Sequence, residues 1–199
     1  MIKNIIFDIG NVLLSFSPIP YLNQYYNPIF SNRLSDIIFK SDEWIELDKG
    51  TILIKDAIAS LSKKHPYYVV EINYILTHWT DMLTPINENV ELLSTLKEKG
   101  YNLYLLSNFH IEAFDTVTKQ NDFFSYFDGG VVSGHIQMLK PDPSIYKTLI
   151  NKYNLKNEEC LFIDDCLDNI IEARNQNIQG IHLPVGTSLY HQLKLHDLI

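Results

Sequence analysis

Side chains able to do chemistry occur at four places in this chain, each at or near the end of an apolar run. They are Asp8, Ser107 with Asn108, Lys140, and the adjacent pair Asp164 and Asp165. An aspartate that ends a buried strand can act as a nucleophile or as a metal ligand. Two or three converging carboxylates form an oxygen-ligand site for a hard cation such as Mg²⁺. With a lysine and N–H donors, such a group supplies the charge neutralisation and positioning that phosphoryl transfer needs.

The hydroxyl and the lysine are suited to binding an anion. Ser107 precedes a predicted helix that begins at Ile111, and the backbone N–H groups at a helix start bind anionic oxygens. Pro141 disfavours helical backbone at Lys140, so the lysine can point into a cleft from an extended stretch. Its ammonium would hold a phosphate as a point charge. We therefore expect an anion site beside the carboxylates.

Five apolar runs predict the strands that position these residues. The runs span Asn4–Phe7, Asn102–Leu106, Gly130–Val132, Cys160–Ile163 and Gly180–Leu183. Helical patterns lie between the later runs. We expect one helix to have Thr84 as its cap and Pro85 as its first residue, and another to start at the Asp142–Pro143 pair. The alternation predicts an α/β fold with a parallel sheet covered on both faces. Ligands bind at the carboxyl ends of the strands in such sheets.

A long aromatic-rich region interrupts this alternation directly after the first strand. Helical patterns occur in it at residues 34–39, 55–61 and 69–79, with few strand signals. The simplest interpretation is a helical insertion that covers the site. We therefore predict a core formed by residues 1–15 and 84–199 and a helical cap formed by residues 16–83.

Length and composition restrict the partners of the protein. The chain has 199 residues, of which 46% are hydrophobic, and a net charge of −8. This charge argues against nucleic acid, but a local cation or metal still allows a small anionic substrate. We expect no membrane partner, because no apolar run is long enough to span a bilayer. Cys160 and Cys166 form no disulfide pattern and predict a cytoplasmic protein with reduced thiols. We expect a monomer or a weak homodimer.

The four groups, in this chain order, resemble the motifs of the haloacid dehalogenase (HAD) superfamily. The resemblance is narrower to its small Mg²⁺-dependent phosphatases with an Asp-x-Gly-Asn first motif, among them sugar-phosphate phosphatases. It implies a Rossmann-like core with a helical cap. It also implies that Asp8 attacks phosphorus and that Mg²⁺ bridges Asp8, the Gly10 carbonyl and Asp165.

The resemblance assigns the remaining motif residues as well. Ser107 and Asn108 would bind the phosphoryl oxygens, and Lys140 would neutralise charge on the nucleophile and the phosphate. Asp164 would ligate the metal through water or orient Lys140. The function expected from the resemblance is Mg²⁺-dependent hydrolysis of a phosphomonoester through an aspartyl-phosphate. The expected substrate is a small phosphorylated metabolite such as a sugar phosphate.

One position departs from the commonest family pattern, in which a second aspartate follows two residues after the nucleophile. That aspartate protonates the leaving group and later activates water, and here the position is Gly10. Two explanations stay open. Either the leaving group departs without much protonation, as an anomeric hydroxyl or a carboxylate would, or His110 or His78 supplies the proton.

Two alternative functions follow from the same residues. Haloacid dehalogenases also lack the second aspartate, but their nucleophile attacks carbon and needs no metal. The Asp164–Asp165 pair argues against this function, because carboxylates near Asp8 would repel it unless a cation lies between them. A non-catalytic binding protein on a degenerate core is supported by Gly10 alone.

Overall fold

The computed structural model describes all 199 residues and contains a five-stranded parallel sheet in the order β5-β4-β1-β6-β7. The strands are β1 (Asn4–Phe7), β2 (Leu14–Ser15), β3 (Thr84–Pro85), β4 (Asn102–Ser107), β5 (Gly129–Val132), β6 (Cys160–Asp164) and β7 (Gln179–His182). Helices connect the parallel strands, as right-handed crossovers require. The predicted Rossmann-like α/β fold is therefore confirmed.

The α-helices fall into a group before β3 and a group after it. The first group is α1 (Pro18–Leu22), α2 (Pro28–Phe39), α3 (Asp42–Lys49), α4 (Ile54–Lys64) and α5 (Val69–His78). The second group is α6 (Asn87–Glu98), α7 (Ile111–Gln120), α8 (Ser133–Ile136), α9 (Pro143–Lys152), α10 (Leu167–Asn175) and α11 (Leu189–Leu195). Short 3₁₀ turns occur at Pro66–Tyr68, Trp79–Met82, Asp122–Tyr126 and Asn157–Glu159. None of the helices has the length and apolar composition needed to cross a bilayer.

Strand β1 lies at the centre of the sheet and determines where the site forms. Phe7, its last residue, is in register with Leu105 of β4 and Ile163 of β6. Ile5 and Phe7 pack into one apolar cluster and Ile6 into another, because successive side chains of a strand point to opposite faces. The chain therefore leaves β1, β4 and β6 at the same edge, between two packed layers.

Residues 16–83 form a helical segment with its own apolar cluster. The cluster includes Leu34 and Ile38 of α2, Leu61 of α4, and Ile72 of α5, all buried. The antiparallel pair β2–β3 joins the segment to the sheet, and Ser15 Oγ lies 2.6 Å from Thr84 Oγ1 across it. The two strands of this pair flank residues 16–83.

Backbone groups hold the helical segment against the sheet. The Ile54 N–H donates to Glu112 Oε2 over 3.0 Å, and Ser133 Oγ donates to the Asp48 carbonyl. Gly50 ends α3 in the left-handed region, at φ 73°. A Cβ at this residue would collide with the Gly134 carbonyl oxygen. The approach is so close that only glycine fits at residue 50.

The predicted helix start at Thr84 and Pro85 is wrong. Both residues lie in β3, and helix α6 begins at Asn87. Pairing with Leu14 and Ser15 fixes the extended backbone of this stretch, so tertiary contacts override the local cap and proline signals. The predicted start at Asp142 is confirmed, because Asp142 caps α9 by accepting from the Ser144 N–H.

Candidate active site

Asp8 lies directly after β1 and is 8% exposed. Its backbone N–H donates to the Ile163 carbonyl over 2.9 Å. Its Oδ1 accepts from the Ile9 N–H at 2.8 Å and lies 2.9 Å from Lys140 Nζ. Burial raises the pKa of Asp8 to about 7, although Lys140 partly offsets the effect. A carboxylate with this pKa is stabilised as an anion by any further cation that approaches it.

Lys140 connects Asp8 with Asp164 at the bottom of the site. Its Nζ lies 2.9 Å from Asp8 Oδ1 and 2.7 Å from Asp164 Oδ2. Burial by itself would lower the pKa of Lys140, but the two carboxylates outweigh it and raise that pKa. The buried lysine is therefore charged and neutralises negative charge on Asp8 and Asp164.

Asn108 holds the backbone that carries Lys140. The Asn108 Oδ1 accepts from the Lys140 N–H at 2.8 Å, and its Nδ2 donates to the Lys140 carbonyl over 3.0 Å. The side-chain amide predicted to bind phosphoryl oxygens is thus occupied by the main chain. Asn108 is left with its backbone N–H as a donor for an anion.

Asp164 is completely buried at the end of β6, and both its oxygens have protein partners. Oδ1 accepts from the Cys166 N–H at 2.7 Å, and Asn169 Nδ2 lies 3.0 Å from each oxygen. With Lys140 on Oδ2, these contacts fill most of the acceptor positions of a carboxylate. Of the two roles expected for Asp164, metal ligation through water and orientation of Lys140, this arrangement favours the second. The contact made by Asn169 was not predicted.

One oxygen from each of Asp8, Asp164 and Asp165 lies within 4.8 Å of the others. Burial raises the pKa of Asp165, and the hydrogen bond from Asn11 opposes the shift. Asn11 Nδ2 donates to Asp165 Oδ2 over 2.9 Å. Three carboxylates around one lysine leave excess negative charge on hard oxygen donors, which fits a divalent cation such as Mg²⁺. The predicted cofactor thus has a suitable site.

Ser107 ends β4 next to Asp8, as predicted. Its Oγ is buried and forms no well-aligned hydrogen bond within the protein, although its contact with the Asp8 carboxylate lowers the pKa of Asp8. Buried hydroxyls are almost always hydrogen-bonded, so this one can accept a further partner. The hydroxyl is therefore available to an anionic oxygen bound beside Asp8.

A cavity of about 120 Å³ opens beside Gly10, between the helical segment and the sheet. Most of the side chains that line it are aromatic or aliphatic: Phe16, Trp44, Trp79, Leu83 and Phe109. Two lining side chains are polar, those of Asp48 and Asn108. No heavy atom lies within 4 Å of the position that a Cβ on Gly10 would take. The space where the family's second aspartate would lie is therefore open.

The two histidines named as proton donors have different surroundings. His78 is half-buried, stacks on Tyr74 and bonds the Tyr74 carbonyl through Nδ1 at 2.8 Å. His110 is 1% exposed and lies between the rings of Trp44 and Trp79, at centroid distances of 4.3 and 4.8 Å. His110 therefore contacts two tryptophans of the cavity wall without lining the cavity itself, whereas His78 contacts Tyr74 on its own helix.

Asp48 is a site residue that sequence reasoning did not assign to the chemistry. Its Oδ1 lies 3.2 Å from His110 Nε2, and its side chain lines the cavity beside Gly10. From the sequence we expect only that the turn Asp48–Thr51 precedes a helix and is able to face the cleft. The contact with His110 depends on how the helical segment packs on the sheet, which no local pattern encodes.

The fold and this arrangement of strand-end residues define a class of hydrolases. The family profile of haloacid dehalogenase-like hydrolases matches residues 2–176, and the chain belongs to this family. A sesquiterpene phosphatase of Aspergillus oryzae is 28% identical over 99% of this chain and 96% of its own length. A drimenol cyclase of Aspergillus calidoustus is 24% identical over 91% of this chain, but only 34% of its own length.

A solved structure shows the same fold. It is a HAD family enzyme of Bacteroides thetaiotaomicron, in complex with magnesium and inorganic phosphate. The TM-score is 0.78 at 23% identity, covering 96% of this chain and 99% of the other. The predicted family and enzyme class, a hydrolase, are confirmed.

Proposed function

We propose that the protein is a Mg²⁺-dependent phosphomonoester hydrolase that acts through an aspartyl-phosphate on Asp8. The observation that carries this proposal is the buried Asp8 paired with Lys140, beside the Ser107 hydroxyl, which forms no well-aligned hydrogen bond, and the carboxylate of Asp165. Each component of phosphoryl transfer has a residue in this group: a nucleophile, a fixed cation, a hydroxyl for a phosphoryl oxygen and a metal site.

The residues divide the work by position. Asp8 attacks phosphorus through the oxygen not held by Lys140, and Lys140 balances charge on the nucleophile and the phosphoryl group. The Ser107 hydroxyl and the Asn108 backbone N–H bind phosphoryl oxygens. Asp8, Asp165 and the Gly10 carbonyl would hold the metal, with Asp164 orienting Lys140. When bound, Mg²⁺ supplies further neutralisation of the phosphoryl charge.

The cavity beside Gly10 supports a leaving group that is largely apolar. Five of its lining side chains are aromatic or aliphatic, and apolar walls favour ligands that bury apolar surface. The sesquiterpene phosphatase named above acts, by its name, on a terpenoid substrate. We therefore place small phosphorylated terpenoids or similar apolar phosphomonoesters first among the substrates.

A sugar phosphate is the second candidate. The carboxylate of Asp48 and the indole N–H of Trp79, which is buried without a partner, are groups that can bind hydroxyl oxygens. An anomeric hydroxyl would also leave without strong protonation. A panel of prenyl, alkyl and sugar phosphates, compared by kcat/KM, separates the two substrate classes.

We also propose that the helical segment acts as a cap over the site. It contributes Phe16, Trp44, Asp48 and Trp79 to the cavity wall, while the phosphoryl-binding residues come from the sheet. This division places substrate selection in residues 16–83 and the chemistry in residues 1–15 and 84–199.

The direct test is trapping of the phosphoenzyme. Acid quenching of the protein with Mg²⁺ and p-nitrophenyl phosphate should leave a hydroxylamine-sensitive adduct on Asp8. The Asp8→Asn variant should lack the adduct, and Asp36→Asn, the same change at an exposed position of α2, should retain it. Chloride release from 2-chloropropionate without Mg²⁺, and no phosphate release, would instead identify a dehalogenase. No turnover and no adduct across the panel would favour a binding protein.

A further inference from the structure

We propose that Asp48 is the acid–base residue of this enzyme and that His110 is its positioning residue. The inference rests on the proposed phosphatase function and deepens it. Gly10 cannot supply the proton that the leaving group takes up, and Asp48 reaches the same cavity from the helical segment. A side chain from the segment therefore replaces one from the loop after β1.

The environment of Asp48 is suited to this role. The Ser133 hydroxyl holds the Asp48 carbonyl, so the backbone is fixed against the sheet. The side chain lies over the cavity with Oδ1 3.2 Å from His110 Nε2. The contact of the Asp48 side chain with the protein is through Oδ1, so its second carboxylate oxygen is available to a substrate oxygen.

Hydrogen bonding within the protein does not explain why a polar side chain is buried at residue 110. It is buried between two tryptophan rings, and neither ring nitrogen forms a well-aligned hydrogen bond within the protein. Burial of an imidazole without hydrogen-bond partners costs free energy. The group that His110 Nε2 approaches is the Asp48 carboxylate. A histidine that orients a carboxylate and shares a proton with it would use this contact.

The proton balance closes over the two half-reactions. In the first, Asp8 forms a bond to phosphorus, the ester P–O bond breaks, and the Asp48–His110 pair gives one proton to the departing oxygen. In the second, water attacks the aspartyl-phosphate, the pair takes one proton from that water, and the Asp8 carboxylate is released. The pair returns to its starting state, and no other reactant is consumed.

The test compares leaving groups in matched variants. General acid catalysis contributes roughly 10²–10⁴-fold, so Asp48→Asn should reduce kcat/KM by that order for an alkyl phosphate. It should reduce kcat/KM less than about tenfold for p-nitrophenyl phosphate, whose leaving group needs little protonation. Glu46→Gln, at an exposed position of the same helix, should leave both values unchanged. Equal losses on both substrates, or no loss on either, would overturn the proposal.

Two further variants separate chemistry from structural damage. Gly10→Asp in the Asp48→Asn background should restore alkyl phosphate turnover at least tenfold, because it places a carboxyl group in the open space beside the nucleophile. His110→Gln should show the same leaving-group dependence as Asp48→Asn, and the double variant should be no slower than Asp48→Asn alone. Additive losses in the double variant would refute the positioning role. Absence of turnover and adduct in the unmodified protein would instead refute the phosphatase function itself.

Discussion

Buried carboxylates contact lysines in two regions of this protein, at the carboxyl edge of the sheet and in the helical segment. Asp8 contacts Lys140, which is itself 1% exposed as a side chain. Glu43 accepts from Ser60 Oγ and contacts Lys64, each at 2.5 Å, but the Lys64 side chain is 52% exposed. The two pairs share residue types and burial of the acid, and they differ in what surrounds the lysine.

The pKa values of the two acids shift in opposite directions. Burial raises the pKa of Asp8 to about 7, because Lys140 offsets only part of the desolvation. Burial also acts on Glu43, but hydrogen bonds from Lys64 and Ser60 outweigh it and lower its pKa. Contacts at Oε1 stabilise the charged form of Glu43, although its Oε2 is buried without a hydrogen-bond partner, whereas the charged form of Asp8 remains disfavoured until a substrate or metal approaches. The direction in which the pKa of the acid shifts, rather than the presence of an ion pair, therefore distinguishes the reactive site.

Neutralising Asp8 should change activity more than any other substitution considered for these two acids. Asp8→Asn should reduce phosphatase turnover by roughly 10⁴-fold or more, as loss of a catalytic nucleophile does. The melting temperature should not fall, because Lys140 keeps its contact with Asp164 and a desolvated carboxylate is removed. Steady-state kinetics and calorimetry on one preparation measure both effects. A large fall in melting temperature would show that Asp8 is structural, like Glu43.

Removal of the metal should affect the Asp8 region alone. Chelation should reduce turnover by roughly 100-fold or more, and added Mg²⁺ should restore it. Mg²⁺ should also raise the melting temperature, because a ligand of the native state adds about 1.4 kcal/mol for each tenfold excess over its Kd. Asp165→Asn should weaken this stabilisation, and Glu43→Gln should not. An equal Mg²⁺ response in both variants would contradict the proposed metal site.

Neutralising Glu43 should give the reverse pattern. Glu43→Gln should lower the free energy of unfolding by about 1–2 kcal/mol, less than the roughly 1.5–3 kcal/mol of a hydrogen bond to a charged group, because solvent screens the half-exposed Lys64. Turnover should stay within about twofold of the unmodified protein, because the residue is outside the catalytic group. Urea unfolding and steady-state kinetics test the two halves of this prediction. A loss of turnover without a loss of stability would show that Glu43, like Asp8, contributes to activity rather than to the fold.

The smallest expected effect is the pH dependence of that stability difference. The native pKa of Glu43 lies below its ordinary value of 4.5, so its contribution is present above pH 4.5 and is lost as pH falls through the native pKa. The difference between the unmodified protein and Glu43→Gln should therefore shrink on acidification from pH 6 into this range. Urea unfolding at several pH values measures it, and a constant difference would show that the charge of Glu43 is not involved.

The residues that end strands were predictable, because a strand and its last polar residue are read from one short stretch of chain. Asp8, Ser107 and Asp164 lie at or directly after strand ends, and Lys140 lies in the turn before α9. The contacts that each of these side chains makes were harder to predict from the sequence. Asn108 was expected to face the phosphate with its amide, but that amide holds the Lys140 backbone, a contact between residues far apart in sequence.

The contacts by which the helical segment forms one wall of the cavity beside Gly10 could not be predicted from the sequence. Asp48 and His110 lie 62 positions apart, and they meet only because α3 packs against the loop after β4 and helix α8. The misplaced start of α6 has a related cause, since the pairing of β2 with β3 connects residues from opposite ends of the segment. Periodicity describes one element at a time, whereas these features depend on how elements pack.

The glycine contact between residues 50 and 134 has a consequence for how this site can diversify. Main chain approaches main chain there, so the seam between the helical segment and the sheet depends little on the side chains that face the substrate. Replacing Phe16 or Trp44 would alter the shape of the cavity and leave this seam in place. Substitutions among the cavity-lining residues can thus change the substrate range, while the residues around Asp8 stay enclosed by the helical segment.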